Sequence, residues 1–147
     1  MANVIEIAKA AVTAYNEKDW SKGKDVLASD AVYDEKRTNR RIQGAGEIIE
    51  AWQGWAKAFP DSKATFVREF GNGDTAVLEL VWKGVHTGPL QTPTGIIPAS
   101  NKTIEIPACQ VVQVEGGKIK SASHYFDMLT MLTQIGATTS PSVASAA

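Results

Sequence analysis

The chain has 147 residues, a formal net charge of −1 and 44% hydrophobic residues, which fits one globular domain. The lack of a basic block argues against nucleic acid and anionic membranes as partners, and no apolar run is long enough to span a bilayer. The single cysteine, Cys109, excludes an intrachain disulfide and a thiolate metal site. No phosphate loop, dinucleotide motif or metal-ligand spacing is present. We therefore expect a cytoplasmic protein that uses no metal and no cofactor.

The spacing of apolar residues predicts the elements in chain order. Helical spacing predicts a first helix over 4–18 with Asn3 as N-cap, a short second helix after Ser21, and a third over 43–59 that Pro60 ends. Alternating patterns predict strands over 31–36, 63–70, 75–86, 102–115 and 118–126. One or two helical turns follow over 128–135.

Helices that precede a run of antiparallel strands indicate an α+β domain. We expect a curved, mostly antiparallel sheet that wraps around three N-terminal helices and forms a cone with an internal cavity. The domain is assigned to 1–136. The segment 137–147 is poor in large apolar residues and is predicted to be a disordered tail.

Two ionisable residues, His86 and Asp127, each close a strand in which one parity lacks charges. Trp82 and His86 share the apolar parity of the first strand, and Tyr125 and Asp127 share that of the second. Because strand side chains alternate between faces, all four are expected to point into the cavity. His124 lies on the opposite parity with two lysines and is expected on the outer surface.

Each candidate also has a structural explanation. Asp127 is either a base or the N-cap of the helix that follows it. His86 either acts on a substrate or bonds to loop backbone. Gln110 interrupts the apolar inward face of its strand, so it contacts either a ligand or an internal partner. Trp82 and Trp55 line either a pocket or the core.

Two stretches carry a family resemblance: Trp82 to Gly88, which reads Trp-Lys-Gly-Val-His-Thr-Gly, and His124 to Gly136. With the order of elements, they resemble the SnoaL-like polyketide cyclases of the nuclear transport factor two superfamily. The resemblance implies a cone-shaped fold without a cofactor. It also implies that Asp127 is the general acid/base of an intramolecular aldol ring closure and that His86 is a pocket histidine.

The superfamily also contains ketosteroid isomerase, and that resemblance points to a second set of residues. It places Asp34 at the base position and Tyr15 near an oxyanion-binding tyrosine. Asp34 is otherwise part of a solvated loop with three arginines, or lies at the pocket mouth. Asn101 stands where many SnoaL-like sequences have glycine, and asparagine tolerates the positive φ of such a turn.

We expect a cofactor-independent acid/base enzyme of the cyclase or isomerase type that acts on a small apolar or aromatic carbonyl compound. Asp127 would abstract a carbon-bound proton and His86 would stabilise the enolate. The expected substrate-binding residues are Trp82, Gln110, Tyr125, Asp34, Tyr15 and Trp55. The alternative is a non-catalytic binder of small molecules. An apolar outward patch with Cys109 and Val111 predicts a homodimer through the sheet.

Overall fold

The computed structural model describes residues 3–36, 40–92 and 94–137, so nearly all of the predicted tail lies outside the described residues. The helices are α1 (Val4–Glu17), α2 (Trp20–Val26), α3 (Ala45–Ala58) and α4 (Met128–Gln134). The strands are β1 (Leu27–Glu35), β2 (Arg40–Gln43), β3 (Lys63–Asn72), β4 (Thr75–Val85), β5 (Leu90–Thr92), β6 (Gly95–Ile97), β7 (Thr103–Glu115) and β8 (Lys118–Phe126).

Six strands form one open sheet in the order β2-β1-β8-β7-β4-β3. The pair β1–β8 is parallel and the other neighbours are antiparallel. Helices α1 and α3 pack on the face that carries the buried residues of β4 and β7. The predicted α+β fold is confirmed, and the space between these helices and the sheet holds both the core and the cavity described below.

Local sequence accounts for the helix ends. Asn3 caps α1 as predicted, and its side chain accepts from the backbone N–H of Glu6 at 2.8 Å. The Glu6 carboxylate accepts in return from the N–H of Asn3 and completes a capping box. Helix α2 starts two residues earlier than predicted, because Asp19 takes the cap position instead of Ser21.

Three short strands were not predicted. Strand β2 is largely polar and lies at the sheet edge, so it lacks the alternating pattern that marks a half-buried strand. Strands β5 and β6 form a separate hairpin inside the segment that the sequence indicated as a Pro/Gly loop. Short strands held mainly by backbone hydrogen bonds leave little trace in a side-chain pattern.

Strand β8 contains one residue more than its partner β7 requires. Gln113 pairs with Ser121 and Val114 pairs with Ile119, which leaves Lys120 as the extra residue of a β-bulge. Alternation is therefore interrupted, and every side chain after Lys120 lies on the face opposite to the one that strict alternation predicts.

The bulge makes the predicted orientation of the end of β8 wrong. Tyr125 is 45% exposed and Asp127 is also exposed, although both were expected in the cavity. His124 and Phe126, in contrast, are buried on the inner face. Strands β4 and β7 keep their alternation along their shared pairing, since Trp82 in β4 and the inward residues of β7 lie where the sequence predicted them.

The outward face of β7 carries Cys109 and Val111, both partly exposed as their parity indicated. The homodimer through this face stays a prediction. Within the described ranges, none of the helices has the length and apolar character that crossing a bilayer requires.

Candidate active site in the sheet cavity

A cavity lies between the inner sheet face and helices α1, α3 and α4. Its volume is about 80 Å³, and the empty space is about 680 Å³ when the open solvent at the mouth is included. It is lined by Ala11, Val12, Tyr15, Tyr33, Trp52, Trp55, Phe59, Ser62, Trp82, Ile104, Ile106, Gln110, His124, Phe126 and Met131. An enclosed cavity of roughly 150 Å³ holds benzene, and this cavity is smaller. A ligand with an aromatic ring must therefore also occupy the open mouth.

Four of the predicted substrate-binding residues line this cavity: Tyr15, Trp55, Trp82 and Gln110. Gln110 is 9% exposed, and its amide makes no hydrogen bond to any other residue that the structure describes. Because a buried amide normally has a partner, Gln110 is well placed to bind a polar ligand group. The role of each residue in binding stays a prediction.

His86 is fully buried but does not line the cavity. Its Nδ1 accepts from the backbone N–H of Ser100 at 3.2 Å and lies 2.9 Å from the Ser100 hydroxyl. Its ring packs against Phe59 at a centroid distance of 5.1 Å. Burial lowers the pKa of His86, so the ring is neutral at neutral pH. The contacts match the structural explanation, in which the histidine holds the loop that precedes β7.

The turn beside His86 contains Asn101, which adopts φ 60° as expected for this position. Two glycines of the Trp82 to Gly88 stretch permit close packing. A Cβ on Gly84 would lie 3.0 Å from the Cα of Ser62, and one on Gly88 would lie 1.9 Å from the Lys57 carbonyl oxygen. These glycines therefore let the end of α3 and Ser62 approach β4.

Asp127, Tyr125 and Asp34 lie outside the cavity lining. Asp127 caps α4: its carboxylate accepts from the backbone N–H of Thr130 at 3.0 Å and from the Thr130 hydroxyl at 2.6 Å. Asp34 forms an ion pair with Lys36 at 2.8 Å. The expectation that Asp127 and Tyr125 enter the cavity is wrong, because the bulge in β8 turns both outward.

A row of polar side chains crosses the inner face of the sheet instead. In the strand register, Glu35 of β1 pairs with His124 of β8, and His124 pairs with Gln110 of β7. All three are buried, with exposures of 0%, 7% and 9%. Paired residues on neighbouring strands place their side chains on the same face, so the row forms one polar line across an apolar surface.

His124 is held by hydrogen bonds on both ring nitrogens. The indole N–H of Trp82 donates to His124 Nε2 at 3.2 Å, and the Tyr33 hydroxyl lies 2.6 Å from His124 Nδ1. An indole nitrogen only donates, so Nε2 must be the acceptor and the proton of the neutral ring must lie on Nδ1. His124 Nδ1–H therefore donates to the Tyr33 oxygen, which assigns the tautomer from the hydrogen-bond pattern.

Glu35 follows Tyr33 by two residues in β1 and is fully buried, yet its carboxylate has several hydrogen-bond donors. Its carboxylate accepts from Arg40 Nε at 2.9 Å and from Trp55 Nε1 at 2.7 Å. Arg40 Nη2 adds an ion-pair contact at 2.8 Å. Several donors around one carboxylate offset the cost of removing it from water.

Tyr15 forms a second polar group on the opposite wall. Its hydroxyl lies 2.6 Å from the hydroxyl of Ser62, and both residues are buried. The Tyr15 ring meets Trp82 edge-on at a centroid distance of 5.2 Å. Trp82 therefore contacts both Tyr15 and His124 and lies between the two polar groups.

The ionisable groups of the lining are neutral over a wide pH range. Burial lowers the pKa of His124 to about 3 and raises the pKa of Tyr15 to about 12. Burial, together with the nearby Glu35, raises the pKa of Tyr33 well above its ordinary value. None of the described lining residues is an aspartate, glutamate, lysine or arginine. The cavity therefore presents uncharged hydrogen-bonding groups on an apolar surface.

The lowered pKa of His124 predicts a pH-dependent stability. Between pH 6.5, the ordinary value, and about 3, the unfolded chain binds a proton that the folded protein does not. The free energy of unfolding therefore falls as the pH falls through this window, by about 1.4 kcal/mol per pH unit from this residue. Urea unfolding of the wild type at pH 7 and pH 5 should show the loss, and His124→Gln should reduce it. Equal pH dependence in both proteins would contradict a buried neutral His124.

Sequence reasoning missed Tyr33, Glu35, Ser62 and His124. For His124 a signal existed: Phe126 shares its parity, and a large aromatic residue is an unusual choice for a solvated face. The partners of Glu35 lie in β2 and α3, and no local pattern links them to β1.

Comparison with known proteins agrees with this architecture. IdmH from Streptomyces antibioticus, a proposed polyketide cyclase, has a TM-score of 0.77 at 21% identity, covering 92% of this chain and 99% of its own. A proposed polyketide cyclase from Xanthomonas campestris pv. campestris has a TM-score of 0.78 at 21% identity, covering 90% and 96%. A protein from Catenulispora acidiphila DSM 44928 with a ketosteroid isomerase-like fold, solved with trimethylamine, has a TM-score of 0.75 at 18% identity, covering 89% and 92%.

These structural similarities establish the fold. No curated protein matches the sequence. Residues 5–135 match the SnoaL-like polyketide cyclase family, which is most of the chain. The protein therefore belongs to the SnoaL-like polyketide cyclase family.

Proposed function

We propose that the protein is a cofactor-independent enzyme that moves a proton at the carbon next to a carbonyl group, as cyclases and isomerases do. The observation that carries the proposal is the Trp82–His124–Tyr33 hydrogen-bonded chain in the wall of an apolar cavity. In this proposal His124 is the base, the role that the sequence suggested for Asp127. His124 lines the cavity and Asp127 does not.

The proposed step starts with a neutral carbonyl ligand among the aromatic rings. The Trp82 N–H contact to His124 Nε2 is long, at 3.2 Å, and gives way to the ligand. The C–H bond next to the carbonyl breaks, its proton passes to His124 Nε2, and its electron pair forms the enolate. The released Trp82 N–H, the Gln110 amide and the Tyr15 hydroxyl are the donors available to the enolate oxygen.

Charge balance favours a neutral ligand. The step converts a neutral imidazole and a neutral ligand into an imidazolium and an enolate, which stabilise each other in a cavity of low polarity. A carboxylate on the ligand would lose its hydration in the cavity. The described lining residues include no lysine or arginine that could pair with it. The base form of His124 is also present at any pH above about 3, so the acid limb of kcat/KM should lie well below pH 6.5.

The same neutrality favours one alternative, a binder without turnover. A cavity that lacks a carboxylate in its described lining can hold an apolar carbonyl compound and do no chemistry. Binding and proton transfer must therefore be measured separately.

The test uses 2-tetralone, a small aromatic ketone with acidic carbon-bound protons. In D₂O the protein should accelerate exchange of these protons, followed by NMR, above the rate in matched buffer. A matched variant that fills the cavity, Ile106→Trp, should abolish both binding and exchange, since Ile106 lines the cavity and is 3% exposed. Saturable binding of the ketone without accelerated exchange would favour the binder and reject the enzyme.

A further inference from the structure

We propose that Gln110 and a small apolar pocket beside it select the ligand. The selected ligand is a ketone whose oxygen accepts from the Gln110 amide and whose neighbouring carbon carries one methyl group, which enters the pocket. The choice of a ketone rests on the proposed function, but the selection itself can be measured as binding to the free protein. The argument starts from an unpartnered amide at the boundary of two adjoining cavities.

A second, smaller cavity adjoins the main cavity described above, and we call it the inner pocket. Four residues line both spaces: Ala11, Tyr33, Trp52 and Gln110. The residues that line the inner pocket alone are all aliphatic: Leu27, Val32, Ile48, Val112, Ile119 and Ala122. Its volume is about 10 Å³, close to the room that one water-sized group needs.

The strand register explains why the inner pocket lies directly beyond Gln110. Val112 follows Gln110 by two residues on the inner face of β7, about 6.5 Å along the strand. Val112 pairs with Ala122 of β8, just as Gln110 pairs with His124. Two of the lining residues, Ala11 and Ala122, have side chains too short to fill the space. The inner pocket is therefore the next step along the same two strands.

The Gln110 amide supplies the hydrogen-bonding group at this boundary. Gln110 is 9% exposed, and no hydrogen bond joins its amide to another residue that the structure describes. Because an unpartnered buried amide lowers stability, a ligand oxygen that accepts from it removes that cost. His124 lines the main cavity on the neighbouring strand. A carbonyl oxygen at Gln110 thus places the adjoining carbon near both His124 and the inner pocket.

The lining of the inner pocket favours a methyl group over a water molecule. A buried water needs about two to four hydrogen-bond partners. Among the described lining residues, polar side chains occur only at the boundary shared with the main cavity. One methyl group is about as large as one water, whereas a longer chain would meet Ile48 and Ile119, which are 0% and 2% exposed. We therefore expect a single methyl substituent.

The test measures the affinity of three ketones by NMR titration: 2-tetralone, 1-methyl-2-tetralone and 1-ethyl-2-tetralone. The wild type should bind the methyl ketone about 4–10-fold more tightly than 2-tetralone, the gain from burying one further carbon. The ethyl ketone should bind more weakly than the methyl ketone, because the added carbon exceeds the space.

Two variants change the inner pocket in opposite directions. Ala122→Val fills it, so the preference for the methyl ketone should disappear while the affinity for 2-tetralone stays unchanged. Val112→Ala enlarges it, so the preference should move to the ethyl ketone. The matched control is Ser123→Val, which adds a similar side chain on the outer face of β8 and lines neither cavity. The control should keep the wild-type order of affinities.

Gln110→Leu keeps the approximate size of the side chain and removes the amide. It should weaken binding of all three ketones by about 2–10-fold, the effect of one lost hydrogen bond. Binding of tetralin, the hydrocarbon without the carbonyl group, should not change. The Tm should stay equal or rise, because no internal hydrogen bond is lost. A lower Tm with unchanged ketone affinities would assign Gln110 to structure and overturn its role in selection.

Equal affinity for 2-tetralone and the methyl ketone, or no saturable binding of the methyl ketone, overturns the proposal even if the protein exchanges ketone protons. A methyl preference that survives Ala122→Val also overturns it. Should that variant fail to fold, an unchanged methyl preference in Val112→Ala has the same consequence. A methyl preference in a protein that never accelerates exchange supports the selection and rejects the proposed enzyme instead.

Discussion

Replacing His124 by glutamine should lower the exchange rate of the ketone by about 10²–10⁴-fold, the usual contribution of a general base. Glutamine roughly preserves the polar reach of the side chain but cannot take a proton at neutral pH. Ligand affinity should change little, because the aromatic lining that buries the ligand is intact. The measurement pairs NMR exchange rates with a titration of the ketone against each protein.

The informative comparison is Asp127→Asn. Asparagine is as good an N-cap as aspartate, so α4 should stay in place. Since Asp127 is exposed and caps α4, the variant should keep its exchange rate within a few fold. If Asp127→Asn lost activity while His124→Gln kept it, the base would be at the end of β8 after all, and the cavity mechanism would be wrong.

Replacing Phe59 by alanine should cause the largest loss of stability among the residues discussed. Phe59 is 2% exposed and its ring lies against His86 and Trp55, at centroid distances of 5.1 and 6.5 Å. Truncating a buried phenylalanine costs about 3–5 kcal/mol, because transfer free energy is lost and a cavity remains. Each kcal/mol lowers Tm by roughly 2–4 °C in a domain near this size.

Phe59 also lines the cavity, so the same variant can be used to test ligand binding. Phe59→Ala enlarges the cavity, so an apolar aromatic compound should bind and recover part of the lost Tm. Phe59→Leu keeps most of the volume and should lose much less stability. A loss below about 1 kcal/mol for Phe59→Ala would mean that the surrounding structure collapses into the space.

The sequence predicted the long elements well because their apolar patterns are uninterrupted. Strands β4 and β7 alternate without a break along their shared pairing, so the placements of Trp82 and Gln110 followed directly. The α1 cap followed from Asn3 alone. The short edge strand β2 did not follow, since its residues are held by pairing with β1 and not by a buried face of their own.

The candidate site was predicted only in part, for two physical reasons. One extra residue in β8 reversed the faces of His124 and Asp127, and alternation offers no warning of a bulge in a segment of small residues such as Ser121 to Ser123. The second reason is that Glu35 depends on partners distant in sequence or outside its own strand. The burial of the Glu35 carboxylate is explained only by its hydrogen bonds with Arg40 and Trp55, which the sequence does not show.

The extra residue at Lys120 allows the cavity to tolerate a change of strand length that its lining residues do not reveal. Gln113 and Val114 are consecutive on β7 and pair with Ser121 and Ile119, so deleting Lys120 should leave a regular ladder with the same later pairs. His124 and Phe126 would then stay on the inner face, and Tyr125 and Asp127 would stay outside. Loss of this residue should therefore alter the chemistry of the cavity far less than a substitution of His124. When related chains are aligned, a chain with one residue fewer between Ile119 and His124 can still place the same histidine in the cavity.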